Sequence, residues 1–323
     1  MRIPAIAMLL AALALPSVVR AAQSCPSQIT SCGCVINAQG DYKVTATLNQ
    51  PGFNNPQMAC IEVDAANVRL DLGGNLISLT GAPSQSSPVP IAPDLEIPNA
   101  CAPSGLTILG ILPDIGIQLT RRATNAIVIG GGATISGFTM YGIEVESSDA
   151  IISNLKADNN TYGIVLNDAH GVQLTNIEAG SNLLHGLSLI RSSGNQISGF
   201  AGNNNGDAGI LIFGPSDANR ITAFQANANG CGVVIEPTSC GSVRSVRIGC
   251  VPRGGHGNTL VGGAANGNLV YGISMEEPGS SAIIDNTATM NGAFDLIDQA
   301  SDCAHNLWFG NTFTSASPAG CIN

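Results

Sequence analysis

Three stretches of the sequence share one arrangement: residues 160–166 read NTYGIVL, residues 182–189 read NLLHGLSL and residues 205–212 read NGDAGILI. Each begins with an asparagine, reaches a glycine three or four positions later and continues as an apolar strand. The same asparagine recurs along the chain at intervals of 22, 23, 24, 39 and 23 residues. The six members of this series are Asn160, Asn182, Asn205, Asn229, Asn268 and Asn291. Self-similarity at a nearly fixed period of this size is typical of a repeat protein.

Aliphatic residues fall into columns when the copies are aligned on these asparagines. The column eight positions before the asparagine holds Ile152, Leu174, Ile197, Ile221, Leu260 and Ile283. After each glycine the apolar residues alternate with period two, which indicates β-strands rather than helices. The repeat therefore predicts short strands that contribute one aliphatic side chain per column to a common interior.

A period near 23 residues with two or three short strands predicts a coil in which each turn pairs in parallel with the next, about 4.8 Å away. The expected fold class is an all-β parallel β-helix, a single-stranded solenoid. Asparagine tolerates left-handed backbone geometry, and its amide can bond to the asparagine one turn above. We therefore interpret the six asparagines as a structural ladder, with a sugar-binding surface as the alternative.

Residues 142–231 resemble the parallel β-helix repeats of the pectin-lyase-like superfamily. The segment VRLDLGGN at residues 68–75 is similar to a first-coil motif of exported β-helix proteins, and CAHNLWFGN at residues 303–311 is similar to their last coil. The resemblance covers roughly residues 60 to 321. It implies a right-handed coil, and it implies no single activity because one scaffold hosts many functions.

The amino-terminal residues have the order of a secretory signal peptide. A basic residue and an apolar run come first, and Pro16 and Arg20 interrupt the run before it could form a transmembrane helix. We expect residues 1–21 to be removed and residues 22–323 to form one β-helix domain in the periplasm or outside the cell, without membrane insertion. Two insertions interrupt the period, at about residues 81–105 and 236–258.

All ten cysteines lie after residue 21. An even number of cysteines in an exported chain favours disulfides, and the spacing of Cys32 and Cys34 is too short for a usual zinc site. We expect structural disulfides that hold the ends and loops, with Cys303 paired to Cys321 at the carboxyl end.

The charge of the chain excludes several classes of partner. The formal net charge is −10, and removal of Arg2 and Arg20 with the signal peptide makes it −12. An acidic surface argues against binding to nucleic acid or to anionic lipid. The sequence therefore predicts no nucleic-acid partner.

Four residues are candidates for catalysis. A lyase or epimerase that acts on uronic acids needs a base to remove a proton and a cation to stabilise the enolate. His185 or His170 could be the base, and Arg191 or Arg220 could be the cation, since these residues lie on successive coils. His185 and Arg191 are expected to share one rim of the coil. The alternative interpretation is that all four are solvated turn residues.

A glycoside hydrolase is the weaker enzymatic hypothesis. Gly255-His256-Gly257 matches a signature of β-helix polygalacturonases. Inverting hydrolysis also needs two carboxyl groups about 6.5–9.5 Å apart, and the carboxylate motifs of that family are absent here. A lyase or epimerase therefore ranks ahead of a hydrolase.

A polar strip on the outer wall is the candidate substrate-binding surface. It comprises Gln173, Gln196, Thr175 and Ser198, which offer hydrogen-bond donors and acceptors at coil spacing. An extended polysaccharide could lie along this strip, and a plain solvated sheet is the alternative. No cofactor is required, but calcium is a candidate ligand because Asp158 with Asn159, or Asn203, Asn204 and Asp207, could supply the several oxygens that it needs.

Two hypotheses of different classes follow. The first is an exported β-helix protein that binds or processes an extended polysaccharide, with a lyase or epimerase as the enzymatic version. The second is a non-catalytic periplasmic or surface scaffold or adhesion protein.

Overall fold

The chain is all-β. A computed structural model describes residues 23–51, 59–80, 101, 114–236, 255–276, 279–299, 305–318 and 320–322, and within these residues the regular structure consists of 25 strands without a helix. No helix in this part of the protein has the length and apolar character needed to cross a membrane.

The strands form two long sheets. Sheet A contains β1 (Gln23–Ser24), β3 (Cys34–Ile36), β6 (Ile61–Val63), β9 (Ile115–Leu119), β11 (Tyr141–Val145), β13 (Tyr162–Asn167), β15 (Leu187–Ile190), β17 (Ala208–Phe213), β19 (Cys231–Glu236), β21 (Tyr271–Met275), β23 (Phe294–Asp298) and β25 (Ala316–Ser317). Sheet B contains β2 (Gln28–Ile29), β4 (Gly40–Val44), β5 (Leu48–Pro51), β7 (Val68–Asp71), β8 (Leu76–Thr80), β10 (Ile127–Ser136), β12 (Ile151–Asp158), β14 (Gln173–Glu178), β16 (Gln196–Ala201), β18 (Arg220–Thr222), β20 (Thr259–Val261), β22 (Ala282–Ile284) and β24 (Leu307–Phe309).

Each strand pairs in parallel with the strand one coil away. Sheet A follows the order β9-β11-β13-β15-β17-β19-β21-β23, so the chain visits sheet A, then sheet B, and returns to sheet A one level higher. This is the topology of a parallel β-helix, as the sequence predicted.

The predicted aliphatic columns are stacked in register. Ile152 lies beside Leu174, Leu174 beside Ile197, and Ile197 beside Ile221. Leu260, Ile283 and Trp308 continue the column. These side chains are at most 3% exposed, so the interior is a continuous apolar core that no single coil could bury alone.

Each coil bends at one residue within or after its sheet B strand. Asn154 and Asn176 occupy this position with φ of 57° and 52°, and Gly199 follows with φ of 65°. Left-handed backbone geometry is accessible to asparagine and glycine, which explains why the sequence places them there. After the bend, bridges such as Ala201 with Gln225 continue a third wall.

The six asparagines form a hydrogen-bonded file along the coil. The backbone N–H of Asn182 donates to Oδ1 of Asn205 at 2.9 Å, and that of Asn205 donates to Oδ1 of Asn229 at 2.8 Å. Asn160, Asn268 and Asn291 take part in the same way. A second file, which the sequence analysis missed, runs through Asn195, Asn219 and Asn258. Its intervals of 24 and 39 residues are the signal that could have revealed it.

Three disulfides join described residues: Cys25 with Cys34, Cys32 with Cys60, and Cys101 with Cys231. Cys321 is also disulfide-bonded. Its expected partner Cys303 lies outside the described residues, so that pairing stays a prediction. The expected signal peptide at residues 1–21 and most of both insertions lie outside them as well.

Candidate functional site

The predicted substrate strip lies on the outer face of sheet B. Gln173 is in register with Gln196, and Gln196 with Arg220, on three consecutive coils. A second column, in which Thr175 lies beside Ser198, runs parallel to it. All five side chains are exposed. The outer wall therefore presents amide, guanidinium and hydroxyl groups in two files, with one member of each file per coil, about 4.8 Å apart.

A polar cleft of about 290 Å³ lies at the turn between the two sheets and is lined by Arg121, Glu146, Ser148 and Asp168. Arg191 donates to Asp168 through Nε at 2.9 Å, and Nη2 of Arg121 lies 3.4 Å from the same carboxylate. The Arg121 side chain is 72% exposed, so most of its guanidinium remains open to a ligand.

His170 lies in the turn that also contains Asp168, so the structure brings His170 and Arg191 to one corner. The backbone N–H of Ser193 donates to Nδ1 of His170 at 3.1 Å. A backbone N–H can only donate, so a neutral His170 ring carries its proton on Nε2. In this state the outer ring nitrogen is a hydrogen-bond donor, which suits binding of a sugar oxygen better than removal of a proton.

His185 is separate from this corner. Strand β15 lies between His185 and Arg191, and six residues of extended chain correspond to roughly 20 Å. The expectation that these two residues share a rim is therefore wrong. The two ends of β15 lead into different turns of the coil, and His185 and Arg191 lie at opposite ends. Nor do the described contacts connect His185 to Arg220, which lies on the outer wall of sheet B.

The outer face of sheet A, where His185 lies, is buried. Its central outward column contains Glu144, Val165, Ser188, Leu211, Val234 and Ser274, and each is at most 7% exposed. Cys101 is held on the same face by its disulfide to Cys231. From β11 to β21 solvent is thus excluded from both faces of this sheet, unlike the outer face of sheet B.

Three polar side chains form a chain of hydrogen bonds on this buried face. Nδ1 of His185 lies 2.8 Å from Oγ of Ser188, and Nε2 lies 3.1 Å from Oδ2 of Asp207. The ring of Tyr162 meets the imidazole edge-on at a centroid distance of 5.4 Å. His185 is 1% exposed.

Two buried glutamates lie on the same face. Burial, reinforced by the charge of Glu146, raises the pKa of the Glu144 carboxyl to about 7. Burial also raises the pKa of the Glu236 carboxyl to about 8, with smaller contributions from Glu276 and Asp207. Oε2 of Glu236 has no hydrogen-bond partner among the described residues. Perturbed acids of this kind cluster at functional sites more often than elsewhere.

Two of the oxygens proposed for calcium, those of Asp158 and Asn203, are engaged by protein donors. Oδ1 of Asp158 accepts the backbone N–H of Gly180 at 2.7 Å, and Oδ1 of Asn203 accepts that of Asn227 at 2.9 Å. Within the described ranges no group of three or more histidine, cysteine or acidic side chains converges on a metal position.

Residues 104–246 match the family described as "Right handed beta helix region". The chain folds as a right-handed parallel β-helix. Among curated proteins, none matches the sequence of this β-helix protein.

Solved structures resemble the β-helix protein over most of its length. The Dettilon tailspike protein gp208 matches with a TM-score of 0.56 and 14% identity over 90% of this chain. The A-module of the Azotobacter vinelandii mannuronan C-5 epimerase AlgE4 matches with 0.55 and 12% over 90%, and the periplasmic alginate epimerase AlgG with 0.52 and 12% over 89%. The β-helix protein spans 54% of the tailspike chain, 79% of the A-module and 72% of AlgG. At this identity the likeness concerns the fold.

Proposed function

We propose that this β-helix protein is exported and binds an extended polysaccharide along the outer face of sheet B. The observation that carries the proposal is the exposed double file of Gln173, Gln196 and Arg220 beside Thr175 and Ser198. Two consecutive coils repeat an amide and a hydroxyl, and the next coil adds the guanidinium of Arg220, so a polysaccharide with a repeating hydroxyl pattern can make similar contacts at several levels.

The corner cleft extends this surface. Asp168 and His170 lie in the turn that leads into β14, whose first residue is Gln173. The open guanidinium of Arg121 and the outer Nε2–H of His170 add donors at the edge of the wall. A sugar chain on the wall can therefore reach charged donors without any rearrangement of the backbone.

Export is supported by the disulfides and by the signal-like amino terminus at residues 1–21. Disulfides persist in oxidising compartments such as the periplasm, and three join described residues. The polysaccharide class is supported by two structural neighbours, which are named as alginate and mannuronan epimerases. We assign residues 22–323 to one exported β-helix domain on this basis.

Binding fits the geometry better than uronate lyase or epimerase chemistry. That chemistry needs a base beside a cation. Arg191 is neutralised by Asp168, His170 presents a donor at its outer nitrogen, and His185 is buried away from both. The second hypothesis, a non-catalytic scaffold or adhesion protein, differs from the first in predicting no affinity for a soluble glycan.

The test is affinity electrophoresis of the purified full chain in gels that contain members of a panel of acidic and neutral polysaccharides. We expect retardation by at least one glycan and roughly tenfold weaker binding by Gln173→Ala/Gln196→Ala, the effect of losing two hydrogen bonds of about 0.5–1.5 kcal/mol each. Lys156→Ala is the matched control, because Lys156 is exposed on β12 outside the double file.

Two results would count against the proposal. Retardation that is equal in the double variant and in Lys156→Ala would remove the wall as the binding surface. Ultraviolet absorbance from unsaturated uronates on incubation with the glycan panel would show a lyase, and the function would then be bond cleavage rather than binding.

A further inference from the structure

The buried contacts of His185 define the protonation of its ring. Asp207 is a carboxylate that accepts a hydrogen bond, so the Nε2 atom beside it carries the ring proton and donates it. Nδ1 is then left with a lone pair, and the hydroxyl of Ser188 donates to it at 2.8 Å. The ring is thus poised to take the Ser188 proton while Asp207 stabilises the charge that results. This is the division of roles in a serine nucleophile, its base and the group that orients the base.

The backbone holds the three residues in place independently of these side-chain bonds. Ser188 lies within β15, three residues after His185. Asp207 lies one coil away, and its backbone N–H donates to the carbonyl of Leu184 at 3.0 Å. Its own carbonyl accepts the N–H of Cys231 at 3.0 Å. The parallel pairing of β15 with β17 therefore fixes the relative position of nucleophile, base and carboxylate.

Within the described part of the chain, the hydroxyl of Tyr162 is an unpaired hydrogen-bond donor close to the hydrogen-bonded group of Ser188, His185 and Asp207. Its ring contacts His185, its side chain is 0% exposed, and its hydroxyl has no hydrogen-bond partner among the described residues. Burial, with a smaller effect from Asp207, raises the pKa of the Tyr162 phenol, so the hydroxyl keeps its proton. A buried donor without a partner costs free energy, and it is suited to stabilise an oxyanion that forms nearby.

We propose that Ser188, His185 and Asp207 form a nucleophilic serine site that hydrolyses small acyl esters, O-acetyl esters in particular. The proposal does not rest on the polysaccharide wall, which lies on the other sheet. Ser188 and His185 are 0% and 1% exposed, so an ester reaches Oγ only through a local opening of the outer face of sheet A, and a small acyl group needs the smallest opening. The activation free energy of acylation therefore includes the free energy of the local opening that admits the ester.

The reaction balances with water as the second reactant. Oγ of Ser188 bonds to the acyl carbon as its proton passes to Nδ1 of His185, and the carbonyl oxygen becomes an oxyanion. Collapse breaks the bond from the acyl carbon to the alcohol oxygen, and the alcohol leaves with the proton from His185. Water then adds to the acyl-serine with His185 as base, the Oγ–acyl bond breaks, and a carboxylic acid and Ser188 are released.

The experiment uses the purified full chain with p-nitrophenyl acetate and, separately, with diisopropyl fluorophosphate, followed by peptide mass spectrometry. We expect p-nitrophenol release and a covalent adduct on Ser188. Ser188→Ala should lose both signals. Ser274→Ala is the matched control, because Ser274 is a 0% exposed serine in the same outward column but has no imidazole among its described contacts. It should retain both signals.

Asp207 is a positioning residue, so its variants are tested by the rate of adduct formation and not only by loss of the adduct. Asp207→Asn should lower the rate of adduct formation at least tenfold when it is assayed at a temperature where circular dichroism shows the variant folded, and Asp207→Glu should restore part of the rate. Absence of an adduct on Ser188 in the unmodified chain would overturn the proposal, and so would equal labelling of the Ser188→Ala and Ser274→Ala variants. Neither result would affect the glycan-binding test, which uses different residues and a different readout.

Discussion

Asn291 donates both its backbone N–H and its side-chain amide to one oxygen, Oδ1 of Asp295, at 3.1 and 2.8 Å. One coil earlier, Asn268 makes the same two bonds to Oδ1 of Asn291, at 2.9 and 2.8 Å. The carboxylate of Asp295 therefore takes the position that the amide oxygen of a seventh asparagine would occupy. It closes the file where the repeat ends.

The first prediction concerns this closing carboxylate. Oδ2 of Asp295 accepts bonds from Thr314 and Ser315, so Asp295→Asn would turn an NH2 group toward donors. Hydrogen bonds to a charged group contribute about 1.5–3 kcal/mol each, and we expect the variant to lose roughly 2–4 kcal/mol of unfolding free energy at pH 7. Denaturant titration measures this loss. Asp41→Asn, whose side chain is 87% exposed, should change stability by less than about 0.5 kcal/mol.

The same variant should show a defined pH dependence. Burial alone would raise the pKa of the Asp295 carboxyl, but hydrogen bonds from Thr314 and Asn291 outweigh it and hold the pKa below its usual value of 3.8. A lowered carboxyl pKa stabilises the fold above 3.8, and this stabilisation is lost as the pH falls further. The difference between the two proteins should thus be constant from pH 7 to pH 5 and shrink below pH 4. A difference that grows on acidification would contradict the assignment.

The second prediction separates the structural role of the asparagine file from a sugar-binding role. Asn205→Ala leaves the backbone N–H of Asn182 and the carbonyl of Ala179 without their partners in a buried position. An unsatisfied buried group costs about 1–3 kcal/mol, so we expect a loss of roughly 3 kcal/mol or more with glycan retardation unchanged. Asn219→Ala, in the second file, should cost a similar amount, whereas the exposed Gln225→Ala should be nearly neutral. Lost retardation at an unchanged melting temperature would instead favour sugar binding.

The columns of the coil could be predicted from the sequence because their physical cause is local and repeated. An aliphatic residue at Ile152 and its equivalents recurs with the asparagine, and each copy imposes the same strand and bend. The exposed double file was predictable for the same reason, since outward positions follow from the period of two.

The burial of sheet A could not be predicted from the repeat, because it depends on contacts from outside the coil. Cys101 reaches this face from an insertion that has no period. A signal was nevertheless present, since the outward positions Val165, Leu211 and Val234 are apolar where a solvated face would be polar. The 22-residue separation of His185 and Asp207 is one residue shorter than the 23-residue interval from Asn182 to Asn205, so aligning the copies would have placed the two residues on neighbouring coils, one position apart.

The third prediction concerns the buried carboxyl of Glu236. Its pKa is raised from 4.5 to about 8 by burial, so the folded state holds a proton that the unfolded state releases. The contribution of the protonated Glu236 carboxyl to the free energy of unfolding is fully present below pH 4.5 and is lost as the pH rises toward 8. Glu236→Gln cannot ionise, and it should become more stable than the unmodified chain by a few kcal/mol at pH 8, with little difference at pH 4.5.

Unfolding curves at several pH values between 4.5 and 8 test this sign. Glu178→Gln is the matched control, because the Glu178 side chain is 48% exposed, and it should show no comparable trend. A Glu236→Gln variant that loses stability relative to the unmodified chain as the pH rises would show that the charged carboxylate is favoured in the fold.

The fourth prediction concerns the disulfide between Cys101 and Cys231, which spans 130 residues, against that between Cys25 and Cys34, which spans 9. The loop-closure entropy of the unfolded chain predicts a stabilisation of about 5 kcal/mol for the disulfide that closes the long loop and about 3 kcal/mol for the one that closes the short loop. Replacing both cysteines of each pair by serine should therefore lower the unfolding free energy more for Cys101/Cys231. Loss of that disulfide also frees Cys101 from the outer face of sheet A, so hydrogen exchange at β19 should accelerate in this variant alone. Equal destabilisation by the two pairs, with unchanged exchange at β19, would show that this disulfide does not hold the buried face together.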